Sequence, residues 1–153
     1  MYDHWGANVT VIAATLAAVL LSVLVHYEGL LFVSRRLKTT SGPRRTNVLY
    51  AILSMLGLHV MEIWIFGIAL WLLLQWPECG HILTNVGGPA SVSGLLDSVY
   101  FSAMTYSTVG YGDVAPVGPV RILAGTEGLF GLMMIGWSAS FTYLEMERFW
   151  RVR

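Results

Sequence analysis

Charge is scarce in this chain. Of 153 residues only 12% are Asp, Glu, Lys or Arg, against 56% hydrophobic ones, and a soluble domain carries about 25% charged residues. A large soluble core is therefore excluded, and the balance points to a lipid environment. Cysteine is nearly missing. Cys79 stands alone, so no disulfide forms within the chain; a free thiol is expected, the alternative being a bond to another chain. No Lys or Arg precedes Arg35, so the start lacks the basic region of a cleaved leader. Formal net charge is zero, leaving no overall field to attract nucleic acid. No span carries arginine at every third position, the pattern of a voltage sensor. No nucleophile–base pairing or metal-ligand spacing stands out, so no enzyme and no organic cofactor are expected. The stop at Arg153 leaves no expected room for a cytosolic ligand domain.

What is present is length of apolar chain. About 20 helical residues cross a bilayer, and three stretches suffice: about Val9 to Val33, Val48 to Trp76 and Val120 to Phe149. A fourth, about Ser93 to Tyr106, is too short and reads as a re-entrant helix, tolerated only where protein or a water-filled cavity surrounds it. The expected fold is all-α and membrane-embedded, with three transmembrane helices, a re-entrant helix and a loop after it. Ser91 or Ser93 is a candidate N-cap for that helix, and Asp97 supplies an acid to its first turn. Gly42-Pro43 breaks the chain between the first two spans.

Eight of the nine basic residues fall in two places: Arg35, Arg36, Lys38, Arg44 and Arg45 in the first loop, and Arg148, Arg151 and Arg153 in the tail. The positive-inside rule assigns both to the cytoplasm. The N-terminus and residues 77–119 then lie outside, in a multi-pass protein of the cell membrane. Trp5, Trp76 and Trp150 fall near the interfaces, as aromatic belts do. Ala13 with Ala17 and Ala14 with Ala18 offer a small-residue face in span one.

The stretch Thr108-Val109-Gly110-Tyr111-Gly112-Asp113 asks for a special backbone. A dehydrated cation needs oxygens in place of its water shell. In an ordinary strand successive carbonyls face opposite sides. Alternating left- and right-handed angles align them, and glycine adopts left-handed angles cheaply. Gly110 and Gly112 are spaced for this. Thr108 adds a hydroxyl, Val109 and Tyr111 point away from the ion path, and Asp113 can hold the outer end.

This segment resembles the selectivity filter of potassium channels, whose carbonyls replace the ion's hydration shell. The segment before it, "DSVYFSAMTYST", is similar to the family's pore helix, and "VAPVGPVRILAGTEGLFGLMMIG" to the run into its inner helix. The resemblance covers roughly Val48 to Trp150. It implies a prokaryotic two-span pore module, residues 48–153, preceded by an extra helix and loop, residues 1–47. It implies K⁺ held at Thr108, Val109, Gly110 and Tyr111, with Gly112 in the same filter, and four identical chains around one axis. Gly131 matches the inner-helix glycine, read as a hinge or as a close helix contact, and Gly136 a second small site. Leu132, Ile135 and Ala139 then face the cavity. The sequence departs from many bacterial relatives at Met104, where they carry a glutamate that bonds the filter acid; Tyr100 is left to donate to Asp113. The rival functions are a weakly selective cation channel, a K⁺ transporter subunit and a non-conducting membrane sensor.

Ionisable residues inside the spans complete the reading. His26, Glu28, His59 and Glu62 are costly in lipid and mark a pathway or a paired site. His59 and Glu62 share a helix face. The four could form a latch that titrates near neutral pH, or only hydrogen-bond between helices; a metal site is a third reading. Glu127 in span three is expected to be neutral or hydrogen-bonded behind the filter.

Overall fold

The computed structural model describes residues 5–39, 44–84, 91–92 and 94–150. The Gly42-Pro43 break, Ser93, Arg151 and Arg153 lie outside the described residues, as do the side chains of Ser91, Arg148 and Trp150. Three helices are long and apolar enough to cross a membrane: α1 (Trp5–Thr39), α2 (Arg44–Leu73) and, after the loop region, α4 (Arg121–Trp150). Between them stand a short 3₁₀ turn (Pro77–Cys79), β1 (His81–Thr84), β2 (Ser91–Val92), the short helix α3 (Leu95–Tyr106) and β3 (Val114–Val117). All three spans exist where apolar length places them. Helix α1 runs past its apolar stretch at both ends and, with 35 residues, is about 52 Å long against a hydrocarbon layer of about 30 Å; α2 begins before Val48 but stops at Leu73, short of Trp76.

The buried stripe of α1 is Ala7, Val11, Thr15, Ala18, Ser22, His26, Leu30, Val33 and Leu37. Spacings of three and four keep it on one side of the helix. Its upper part is small or polar, so helix axes approach closely there. Ala14 and Ala18 belong to this packed side, whereas Ala13 and Ala17 are exposed. Helix α1 packs against both α2 and α4, so it braces the two other long helices at once. The core lies between α2, α3 and α4, around Phe66, Leu70, Tyr106, Leu123 and Phe130.

The segment between α2 and α4 holds a three-stranded antiparallel sheet, order β2-β1-β3, that the apolar pattern did not foretell. His81 to Thr84 pair with Val117 back to Val114. Strand β1 precedes the short helix and β3 follows the TVGYGD loop, so the pairing ties the loop's two ends together. Gly80 and Gly118, both at positive φ, meet at the base of this tie; a Cβ on Gly118 would lie 2.9 Å from the Gly80 α-carbon. Cys79 is buried beside it and is a free thiol. Burial pushes this thiol up, Glu78 adding to the effect, so it is poorly placed to form a bond to another chain.

The helix cap differs from expectation. Gly94, extended at φ −76° and ψ 150°, is the N-cap of α3, with no side-chain cap bond. Ser91 therefore does not cap it, and the candidate Ser93 lies outside the described residues. Ser98 instead turns back, its hydroxyl donating to the Gly94 carbonyl at 3.0 Å.

Candidate functional site

The short helix α3 ends at Tyr106, and the chain turns at once into the TVGYGD loop. Ser107 Oγ donates to the Ala103 carbonyl at 2.6 Å. The Thr108 amide bonds the Thr105 carbonyl at 3.0 Å, and the Gly110 amide the Met104 carbonyl at 3.2 Å. These bonds use the free carbonyls of the helix end to launch the loop.

The backbone then alternates. φ is +58° at Thr108, +50° at Gly110 and +79° at Gly112, while Val109 and Tyr111 keep negative φ. Left-handed angles at every second residue are the condition under which successive carbonyls turn to one side. Thr108 is the unforeseen member: a β-branched residue at positive φ is a genuine outlier, costing about 1–3 kcal/mol. No composition signal marks it, because the usual carrier of such angles is glycine.

Val109 and Tyr111 are exposed, Tyr111 at 72%. At the outer end, the Tyr100 hydroxyl donates to Asp113 Oδ2 at 2.8 Å. This bond to the carboxylate is the main reason the phenol proton is held more tightly than usual. Tyr100 is thus in place to donate to Asp113 as the sequence led one to expect. We expect Tyr100→Phe to loosen the outer end of the loop. Ion flux through reconstituted protein should then decline sooner after K⁺ is lowered; an unchanged time course would remove Tyr100 from this role.

Behind α3, Ser102 Oγ stands 2.8 Å from the Ile63 carbonyl and also bonds Glu127 Oε1. Glu127 is fully buried. It is hydrogen-bonded as expected, and it links α4 to the back of α3.

Gly131 lies against the end of α3. A Cβ there would sit 2.8 Å from the Tyr106 carbonyl carbon, and nearer still to its oxygen. Close packing is thus present at Gly131, whereas Gly136 has open space around it. Leu132, Ile135, Gly136 and Ala139 are exposed along α4, away from the chain's own core.

Three of the four intramembrane polar residues come together. His26 Nδ1 is 2.6 Å from Glu62 Oε1. The Tyr106 hydroxyl donates to Glu62 Oε2. His59 Nδ1 is 2.8 Å from the Tyr106 oxygen and 3.4 Å from Glu62 Oε2. Ser138 Oγ is 3.4 Å from His26 Nε2. The network joins α1, α2, α3 and α4 at one depth. Glu28 does not take part; it is exposed on another side of α1. Tyr106 and Ser138 had no sequence signal, since each looks like an ordinary helix residue until its depth beside His26 and Glu62 is known.

A sequence model for the family described as "Ion channel" matches residues 46–146. The chain belongs to this ion-channel family. The chain is similar to Protein LctB of Geobacillus stearothermophilus, 34% identical over 52% of this chain and 74% of that protein. Protein LctB of Bacillus caldotenax is 35% identical over 43% of this chain and 63% of its own. The inward rectifier potassium channel Kirbac3.1 of Paramagnetospirillum magnetotacticum is 32% identical over 49% of this chain, which spans 24% of the channel's length. No solved structure matches. The resemblance to the prokaryotic potassium-channel pore family is thereby met, and the family match begins just before α2 is fully under way, leaving α1 outside it.

Proposed function

We propose that this ion channel conducts potassium passively, down its electrochemical gradient, through a pore built by four copies of the chain. The observation that carries the reading is the alternation of left-handed angles at Thr108, Gly110 and Gly112. Carbonyls of Thr108, Val109, Gly110 and Tyr111, with the Thr108 hydroxyl, would replace the water around K⁺. A single chain supplies one such strand, and an ion needs oxygens on all sides. The exposed Val109 and Tyr111, and the exposed Leu132, Ile135 and Ala139 on α4, are then covered by neighbours or face the cavity. The similarity to a potassium channel supports K⁺ over other ions. The basic residues at the α1–α2 junction favour an outer N-terminus and a cytoplasmic C-terminus. Residues 48–153 form the pore module, and α1 braces it.

Potassium flux into liposomes holding the purified chain tests this. Barium, close to K⁺ in size, should block the flux. Reversal potentials in mixed salts should follow K⁺ rather than Na⁺, and light scattering of the detergent-solubilised protein should give the mass of four chains. Equal Na⁺ permeation would favour a weakly selective cation channel, and no flux at all a membrane sensor.

A further inference from the structure

We propose that His26, His59 and Glu62, with the Tyr106 hydroxyl, form a binding site for a divalent transition-metal ion of the zinc class. Candidate donor atoms from the two histidines and the glutamate lie within 4.8 Å of one another. His26 and Glu62 are fully buried, and the His59 side chain is 16% exposed. The His59 edge is where an ion would enter.

Three features go beyond hydrogen bonding for its own sake. First, both imidazoles present the same ring nitrogen, Nδ1, to one carboxylate. Two nitrogens and a carboxylate oxygen suit Zn²⁺ and its neighbours rather than Ca²⁺ or Mg²⁺. Second, the spacing is close to what a metal needs. Metal–ligand bonds of about 2.0–2.2 Å in a tetrahedron separate ligand atoms by roughly 3.3–3.6 Å. His59 Nδ1 is 3.4 Å from Glu62 Oε2 and His26 Nδ1 is 2.6 Å from Glu62 Oε1, so each carboxylate oxygen faces one imidazole, and a side-chain shift of under about 1 Å brings the His26 pair to the spacing of ligands on one ion. Third, the outer shell exists. His26 carries the Ser138 hydroxyl at its other nitrogen, and a metal-bound histidine is held in this way.

Charge points in the same direction. A carboxylate buried in mid-membrane is costly unless it is paired or hydrogen-bonded. No Lys or Arg occupies the middle of α1, α2 or α4, and the ion-pair partners found for Glu62 are the two histidines. A bound divalent ion would join α1 and α2 to Tyr106, the last residue of α3, and so stiffen the joint on which the TVGYGD loop rests.

The site does not depend on potassium selectivity, and its test is independent of conduction. Full-length protein, stripped with a chelator and dialysed, is titrated with Zn²⁺ by calorimetry and with Co²⁺ by visible absorption. The expected result is one ion per chain, with the intense visible bands of four-coordinate cobalt, and a higher Tm with Zn²⁺. His26→Ala, His59→Ala and Glu62→Gln should abolish binding. Ser138→Ala, which leaves every ligand in place and is expected to fold, should weaken it about 10–100-fold. His81→Ala, on the exposed outer strand, should change nothing. Failure of the wild-type chain to bind overturns the proposal. Binding that survives both histidine substitutions, or that disappears in His81→Ala, overturns it too. So does pH-dependent Tm lost in His59→Ala without any metal effect, which would make the cluster a proton site.

Discussion

Gly110→Ala and Gly112→Ala should each reduce barium-sensitive K⁺ flux to the leak of empty liposomes. Crowding is not the cause. A Cβ at either position meets nothing within 4 Å in the chain. The cause is the backbone angle, +50° at Gly110 and +79° at Gly112. An L-residue in the left-handed region costs about 1–2 kcal/mol, and in the proposed four-chain pore this would add up to roughly 4–8 kcal/mol. That is comparable with the whole stability of a typical folded domain, about 5–15 kcal/mol, so the loop relaxes to other angles and its carbonyls turn aside. Thr108 already holds φ +58° in each chain, leaving little tolerance for a second strained residue. Gly125→Ala is the control. It lies in α4, has no neighbour within 4 Å and has no positive φ, so flux should persist. Wild-type flux from Gly110→Ala would show that the left-handed angles are not required, and the filter reading would fall with it.

Gly131→Val should prevent folding and assembly, seen as loss of the monodisperse detergent-solubilised protein, and Gly131→Ala should lower Tm. Here crowding decides. The added Cβ overlaps main-chain atoms of Tyr106, and a carbonyl at a helix end cannot rotate away as a flexible side chain can. Helix α4 must retreat from α3. Overpacking costs about 1–3 kcal/mol where side chains can yield, and a rigid backbone opposite places this substitution at the upper end or beyond. Gly136→Ala is the counterpart. It meets nothing within 4 Å, and alanine favours a helix by about 1 kcal/mol over glycine, so Tm should hold or rise. The two readings of Gly131 separate cleanly in this pair. A hinge glycine replaced by alanine would change open probability while leaving Tm intact; a contact glycine lowers Tm first. The geometry favours the contact.

The same contrast between local and non-local causes runs through the molecule. The number and approximate limits of the spans followed from apolar length, because a bilayer of fixed thickness sets the length a helix needs. The short helix was placed within about two residues of its observed start at Leu95, because an apolar run too short to span stands apart from the three long ones. The two left-handed glycines were readable because a glycine between larger residues is itself a statement about backbone angles. Each of these properties belongs to a contiguous stretch of chain.

The tertiary structure decided what depends on rotation and depth. His26 and Glu62 are 36 positions apart, and their meeting is set by how α1 turns against α2. Glu28, only two residues from His26, faces elsewhere for the same reason: two residues along a helix is more than half a turn around it. Tyr106 and Ser138 entered the polar cluster, and Gly131 the contact with α3, through helix packing alone. The sheet joining β1 to β3 escaped notice because its strands are four residues or fewer, contain Pro116 and lack alternation. Sequence by itself determined an ion channel with three long apolar helices and a loop whose two glycines take left-handed angles, since span length and backbone freedom are written locally. Only the packed helices determined what supports that loop, since a side chain's partner is fixed by the rotation of its helix and by which residue lies at the same depth across the interface.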